Sequence, residues 1–132
     1  MQDLLNFLGT DAARQSINVA ARTATVNGSG VDLQGWEGAT AVAEIGAWAG
    51  NQGTWAITLE ESTDNSTFST PSASELIGTA LTISGQINRA LMGQAYVGGS
   101  RYVRAVATLT GGGVNCTFSV KIVRGFKRHL TP

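Results

Sequence analysis

The chain holds few residues that cross-link, break strands or catalyse. Its 132 residues include one cysteine, Cys116, one histidine, His129, and two prolines. A single cysteine forms no internal disulfide, and Cys116 lies in an alternating apolar segment where a buried, inert thiol is the default. Any Ser-His-Asp or Cys-His arrangement would depend on His129, in a terminal stretch where side chains are usually solvated. Zinc requires three or four clustered ligands, and one cysteine and one histidine do not supply them. No stretch approaches the ~18 consecutive apolar residues of a membrane span. The opening Met-Gln-Asp-Leu-Leu-Asn-Phe-Leu lacks the basic region and continuous apolar core of a signal peptide. The expectation is a soluble, non-enzymatic protein made in the cytoplasm, with no cofactor and no metal.

What the chain does have is glycine, 17 residues of it, together with many Thr, Ser, Ala and Val. That composition suits short strands joined by glycine turns better than helices. The apolar period is mostly two: Trp55, Ile57 and Leu59 form one row, Val103, Ala105, Ala107 and Leu109 another, and Val114, Cys116, Phe118, Val120 and Ile122 a third. Segments near 18–26, 39–48, 54–61, 66–70, 79–83, 87–91, 101–109 and 114–124 read as strands. Together they predict an all-β fold of about eight strands, an antiparallel β-sandwich or jelly-roll-like domain. Asp64-Asn65-Ser66 reads as the turn after the Trp55 strand. Gly111-Gly112-Gly113 reads as a hairpin loop between the last two strands, not a phosphate cradle, since no helix follows it. The domain reading is an arm and first strand over 1–30, a sandwich over 31–124 and a basic tail over 125–132.

Residues 1–16 are the one helix-like stretch, with Leu4, Leu5 and Leu8 on a shared face and Phe7 beside them. A helix this short is unstable alone, so it docks on its own domain or orders against a neighbour. The charges are sorted along the chain. All nine acids, from Asp3 to Glu75, precede seven of the nine basic residues, Arg89 to Arg128. Either the two parts occupy different surfaces and form a dipole, or acidic and basic strands alternate and neutralise each other. Asp3 and Asp11 at one end, with Arg124, Lys127 and Arg128 at the other, are the charges expected to meet a partner.

Other site candidates are weak. Glu60, Glu61 and Asp64 are close in sequence but lack the ligand spacing of a calcium loop, and isolated carboxylate pairs say little about glycosidase chemistry. Trp55 shares parity with core residues, whereas Trp36 and Trp48 are open either to a core-edge or interface role or to a sugar-binding platform. The basic tail offers too few clustered charges for strong nucleic acid binding, which rests on many phosphate contacts. Asn65-Ser66-Thr67 and Asn115-Cys116-Thr117 match the glycosylation pattern without a secretory signal to give it weight.

Five segments in order carry a resemblance: Gly30-Val31-Asp32-Leu33-Gln34-Gly35-Trp36-Glu37, Leu59 to Phe68, Leu76-Ile77-Gly78-Thr79, Tyr96 to Arg104, and Val123-Arg124-Gly125-Phe126-Lys127-Arg128-His129. Taken together they resemble a group of small structural proteins of tailed bacteriophages and related prophages. The final Phe126-Lys127 departs from the small residue or proline that the group has before its Arg-His ending. The resemblance implies a virion component with the major capsid protein as partner. It fits a cement or decoration protein on the capsid surface, a homo-oligomer with a trimer favoured. A tail or head–tail connector protein is the alternative within the virion, and a carbohydrate-binding module the alternative outside it. On this reading Leu4, Leu5, Phe7 and Leu8 are interface residues, and removal of residues 1–16 is expected to leave a folded domain that no longer decorates particles.

Overall fold

The computed structural model describes residues 12–49, 53–84, 90–111 and 115–127. Ten strands are formed: β1 (Ala13–Arg22), β2 (Val26–Asn27), β3 (Val31–Asp32), β4 (Trp36–Ala49), β5 (Thr54–Ser62), β6 (Leu76–Ile77), β7 (Leu81–Ile83), β8 (Ala90–Tyr96), β9 (Tyr102–Thr110) and β10 (Asn115–Lys127). They build two sheets, a first in the order β1-β10-β4-β8-β6 and a second in the order β2-β9-β5-β7, with β3 also on β9. Every strand pair is antiparallel. The expected all-β sandwich is therefore the fold. The helical content among the described residues is one 3-10 turn, Ala73–Glu75.

The period-two rows meet between the sheets. β10 contributes Cys116, Phe118, Val120 and Ile122, β5 contributes Trp55, Ile57 and Leu59, and β9 contributes Val103, Ala105 and Ala107, all buried. The inward row of β4 is small, with Ala39, Ala41 and Ala43 before Ile45, so the bulk comes from the residues opposite. The Trp55 and Phe118 rings meet across the sheets at 5.0 Å and 60°, the tilted geometry that aromatic quadrupoles favour. Burial pushes the Cys116 thiol up from its ordinary pKa, consistent with a packing role.

Several expectations need correction. Gly112 and Gly113 of the expected Gly111-Gly112-Gly113 hairpin loop lie outside the described residues, but the strands on either side are not hairpin partners, since β9 lies in the second sheet and β10 in the first. Alternation identifies which residues of a strand face inward, but both sheets face the same core, so it does not say which sheet a strand joins. Residues 13–16, expected in a helix-like arm, begin β1, which pairs with β10. The 66–70 segment is reduced to a single bridge between Glu61 and Ser69. Within the segment expected to hold the first strand, β1 supplies Ile17 to the core, and β10 continues past residue 124 to Lys127.

One crossing stitches the two sheets together. The register of β1 shifts between Gln15 and Ile17, and this bulge lets two consecutive side chains, Ser16 and Ile17, both be buried. Ser16 Oγ accepts the Ala105 N–H of β9 at 2.9 Å and donates to the Ser29 carbonyl at 2.8 Å. Gly28 N–H donates to the Ala105 carbonyl and Ser29 N–H to the Ser16 carbonyl. The backbones come so close that a Cβ at Gly28 would lie 2.7 Å from the Ala105 oxygen and 2.8 Å from the Ser16 oxygen. Gly28→Ala is expected to destabilise the fold by about 1–3 kcal/mol through overpacking. Ser16→Ala should cost a similar ~1–3 kcal/mol by orphaning a buried N–H. Both are read as a lower urea midpoint with an unchanged slope.

Candidate functional site

The charge sorting cancels in space. Arg104 on β9 stands directly opposite Glu60 on β5 and binds it at 2.7 Å, while its guanidinium also lies 4.2 Å from the centre of the Phe68 ring. Arg101 reaches Asp32 with two parallel hydrogen bonds of 3.0 and 2.9 Å, and Lys121 meets Glu44 at 3.3 Å. Each pair joins an acid from the early part of the chain to a base from the late part. The reason is topological: β9 and β10 are inserted beside β5, β3, β1 and β4.

Glu60, Glu61 and Asp64 do not converge on a cation. Glu61 accepts a 2.5 Å hydrogen bond from Tyr96, a buried side chain of the first sheet that also accepts the Ser100 N–H. Burial first, and then the bond to Glu61, raise the pKa of Tyr96. Asp64 Oδ1 accepts from the backbone of Ser66 and Thr67 and from the Ser62 hydroxyl, closing the expected turn with Asn65 at positive φ. Among the described residues no three His, Cys, Asp or Glu side chains gather as a metal would require.

The sequence-selected residues fare unevenly. Asp3, Leu4, Leu5, Phe7, Leu8, Asp11 and Arg128 lie outside the described residues. Lys127 closes β10, opposite Trp36 in the register. Arg124 is not part of a tail reaching outward. It is 6% exposed, donates from Nη1 to the Asp32 carbonyl at 3.0 Å, and stacks 4.9 Å from the centre of the Trp36 ring. Trp36 is correspondingly buried and is not a surface aromatic. Trp48 is half-buried and packs against the core. Trp36 and Trp48 sit near opposite ends of β4, roughly 40 Å apart at strand rise, so they form no shared sugar platform.

A feature that residue-by-residue reading missed is the outer face of the first sheet. Thr40 and Val42 alternate with the buried alanines of β4 and point outward. Across the register Thr40 meets Val123 and Ala95, Val42 meets Met92, and Ala95 meets Ile77. Met92 is 75%, Ile77 59% and Val97 48% exposed. Beside them a groove of about 470 Å³ is lined by Gly38, Thr40, Ala95, Val97 and Gly125 among others. Gly38 and Gly125 stand opposite each other. A Cβ on Gly38 would press within 2.9 Å of the Tyr96 carbonyl, whereas one on Gly125 would meet nothing nearer than 4.0 Å. The signal was present as Gly38-Ala39-Thr40-Ala41-Val42, but without the register it did not differ from an ordinary strand.

No protein-family model and no curated protein matches this chain. Its surface chemistry therefore stands on the geometry alone: lateral charge pairs and an apolar patch around Ile77, Met92 and Val97 on the outer face of the first sheet.

The carboxylates set an acid dependence. The hydrogen-bonded Arg101 guanidinium, only partly opposed by burial, holds Asp32 below the usual carboxylate range. The Thr67 and Ser66 backbone N–H groups, followed by the Ser62 hydroxyl, do the same for Asp64. A carboxyl depressed in the fold contributes stability above its unfolded pKa of about 4, and that contribution is lost as pH falls through the folded value. Urea midpoints measured from about pH 5 down to about pH 2 should therefore fall. The double variant Asp32→Asn, Asp64→Asn should start lower and fall less steeply.

Proposed function

We propose that this chain is a non-enzymatic structural protein of a tailed-phage virion, a cement protein that binds the outside of the major capsid protein lattice as a homo-oligomer and stabilises it. The observation that carries the reading is the apolar outer face of the first sheet, with Ile77, Met92 and Val97 exposed around a glycine-floored groove. Exposed apolar clusters of this kind on a soluble domain mark protein contacts. Charged side chains such as Arg101, Arg104 and Lys121 are already partnered within the domain, so contact free energy comes chiefly from apolar burial, about 25 cal/mol per Å². A closed lattice repeats each such modest contact many times, which is how a small domain reinforces a large shell.

The segment that contacts a neighbour is shorter than the sequence suggested. Ser16 and Ile17 belong to the core and to the stitch between sheets, so a deletion through residue 16 would damage the fold, whereas residues 1–11 precede β1. The sugar-binding alternative is not favoured, because the Arg124 guanidinium occupies a position over the Trp36 ring.

Electron cryomicroscopy of particles that carry the tagged full-length chain tests the proposal. Density for the domain across the whole capsid surface is the expected result. Density confined to the neck or tail would replace cement with a connector role, and particles lacking the chain altogether would remove the virion reading. Replacing Leu4, Leu5, Phe7 and Leu8 together by serine should weaken shell retention by tenfold or more, since each buried large side chain contributes on the order of 1.5–3 kcal/mol.

A further inference from the structure

The glycine that lets the two sheets be stitched together also creates a reactive pair. The chain has seven asparagines, and Asn27 is the one followed by glycine. An asparagine side chain is open to attack by the backbone nitrogen of the next residue, and the attack is least hindered where that residue has no Cβ. Gly28 cannot be exchanged for a bulkier residue, because a Cβ there would overlap the Ser16 and Ala105 oxygens. The fold therefore requires the residue that makes Asn27 vulnerable.

The same contacts hold the pair inert. Asn27 is exposed, so water and base reach its side chain, but its backbone is tied to β9 on both sides. Leu109 N–H donates to Thr25 Oγ1 at 3.0 Å, Val26 and Asn27 pair with Ala107 and Val106, and Gly28 N–H donates to the Ala105 carbonyl at 2.8 Å. Attack requires the Gly28 nitrogen to lose that proton and to swing over Asn27 Cγ. The hydrogen bond retains the proton, and the extended backbone of a paired strand holds the nitrogen away. Ser16 fixes this arrangement from the other sheet, since its Oγ accepts the Ala105 N–H and donates to the Ser29 carbonyl.

We propose that Asn27 is a modification site gated by the stitch between the sheets: it deamidates when Gly28 is released from Ala105 and stays intact while the stitch is closed. In the open state hydroxide takes the Gly28 amide proton, and the nitrogen forms a bond to Asn27 Cγ as the Cγ–Nδ2 bond breaks. Nδ2 takes a proton from water and leaves as ammonia. Water then opens the succinimide ring. Cleavage of its Cγ–N bond leaves aspartate, whereas cleavage of the backbone C–N bond leaves isoaspartate, whose main chain is longer by one methylene. β2 is only two residues long, and an extra backbone atom before Gly28 cannot keep both the Val106 pairing and the Ala105 bond in register. A reversible local opening thus becomes an irreversible one. The inference does not rest on the virion reading.

Full-length protein is incubated at mildly alkaline pH, either folded or unfolded in guanidinium chloride, and conversion at position 27 is followed by peptide mass spectrometry. The unfolded chain should convert Asn27 about tenfold faster or more. Ser16→Ala, which removes the hydroxyl that closes the stitch, should speed conversion in the folded protein roughly fivefold or more. In the wild type, guanidinium below the unfolding transition should raise Asn27 conversion and Gly28 amide hydrogen exchange by the same factor, because both need the same opening. Chains carrying isoaspartate, separated and returned to native buffer, should have a lower urea midpoint than Asn27→Asp, which brings the charge without the methylene. The proposal is overturned by a folded chain that converts Asn27 at the unfolded rate, by a Ser16→Ala rate equal to the wild type, by conversion that does not follow Gly28 exchange, or by isoaspartate chains as stable as Asn27→Asp.

Discussion

Everything else in this domain depends on two apolar rows being buried against each other. Cys116, Phe118, Val120 and Ile122 on one sheet and Trp55, Ile57 and Leu59 on the other are all nearly inaccessible. Because strand side chains alternate, burying one row turns its intervening residues outward. The interior strand β10 therefore turns Thr117, Lys121, Val123 and Gly125 to the opposite side, with Ser119 in the same row but covered by its neighbours. The core contact thereby decides what the outside of the molecule offers.

The same constraint explains how charges sorted along the chain come to stand beside opposite charges in the fold. Once the sheets stack, β9 has to lie beside β5 and β3, and β10 between β1 and β4. Late bases are then placed against early acids: Arg104 against Glu60, Arg101 against Asp32, Lys121 against Glu44. The Arg101–Asp32 and Lys121–Glu44 pairs are exposed to solvent and add little stability. They use these charges locally, within the domain. Arg124 illustrates the opposite extreme. It is drawn inward to bind the Asp32 carbonyl and cover the Trp36 ring, so a residue of basic appearance ties β10 to the end of β3 and the start of β4.

The same alternation leaves an apolar patch, Ile77, Met92 and Val97, exposed on the outer side of the first sheet. Gly38, on that side, is required by the close approach of the Tyr96 carbonyl, whereas a Cβ at Gly125 would meet nothing nearer than 4.0 Å among the described residues.

The amino-acid sequence by itself determined the all-β class, the inward rows of β5, β9 and β10, the turn at Asp64-Asn65-Ser66 and the buried state of Cys116, because each depends on neighbours a few residues apart. It also contained both halves of the charge balance. Tertiary structure alone decided which sheet each strand joins, and so placed β9 and β10, expected as hairpin partners, in different sheets. It decided that Arg124 and Trp36 are buried together and that Ser16 belongs to the core, through a bulge that breaks the period-two pattern. It also gathered Gly38, Ala95, Val97 and Gly125, from three strands and the turn after one of them, into one groove. These outcomes depend on distant partners, such as Asp32 with Arg101, 69 residues apart, and Ala12 with Arg124, 112 residues apart. Local periodicity has no access to such contacts, because any inward row satisfies it equally well in either sheet.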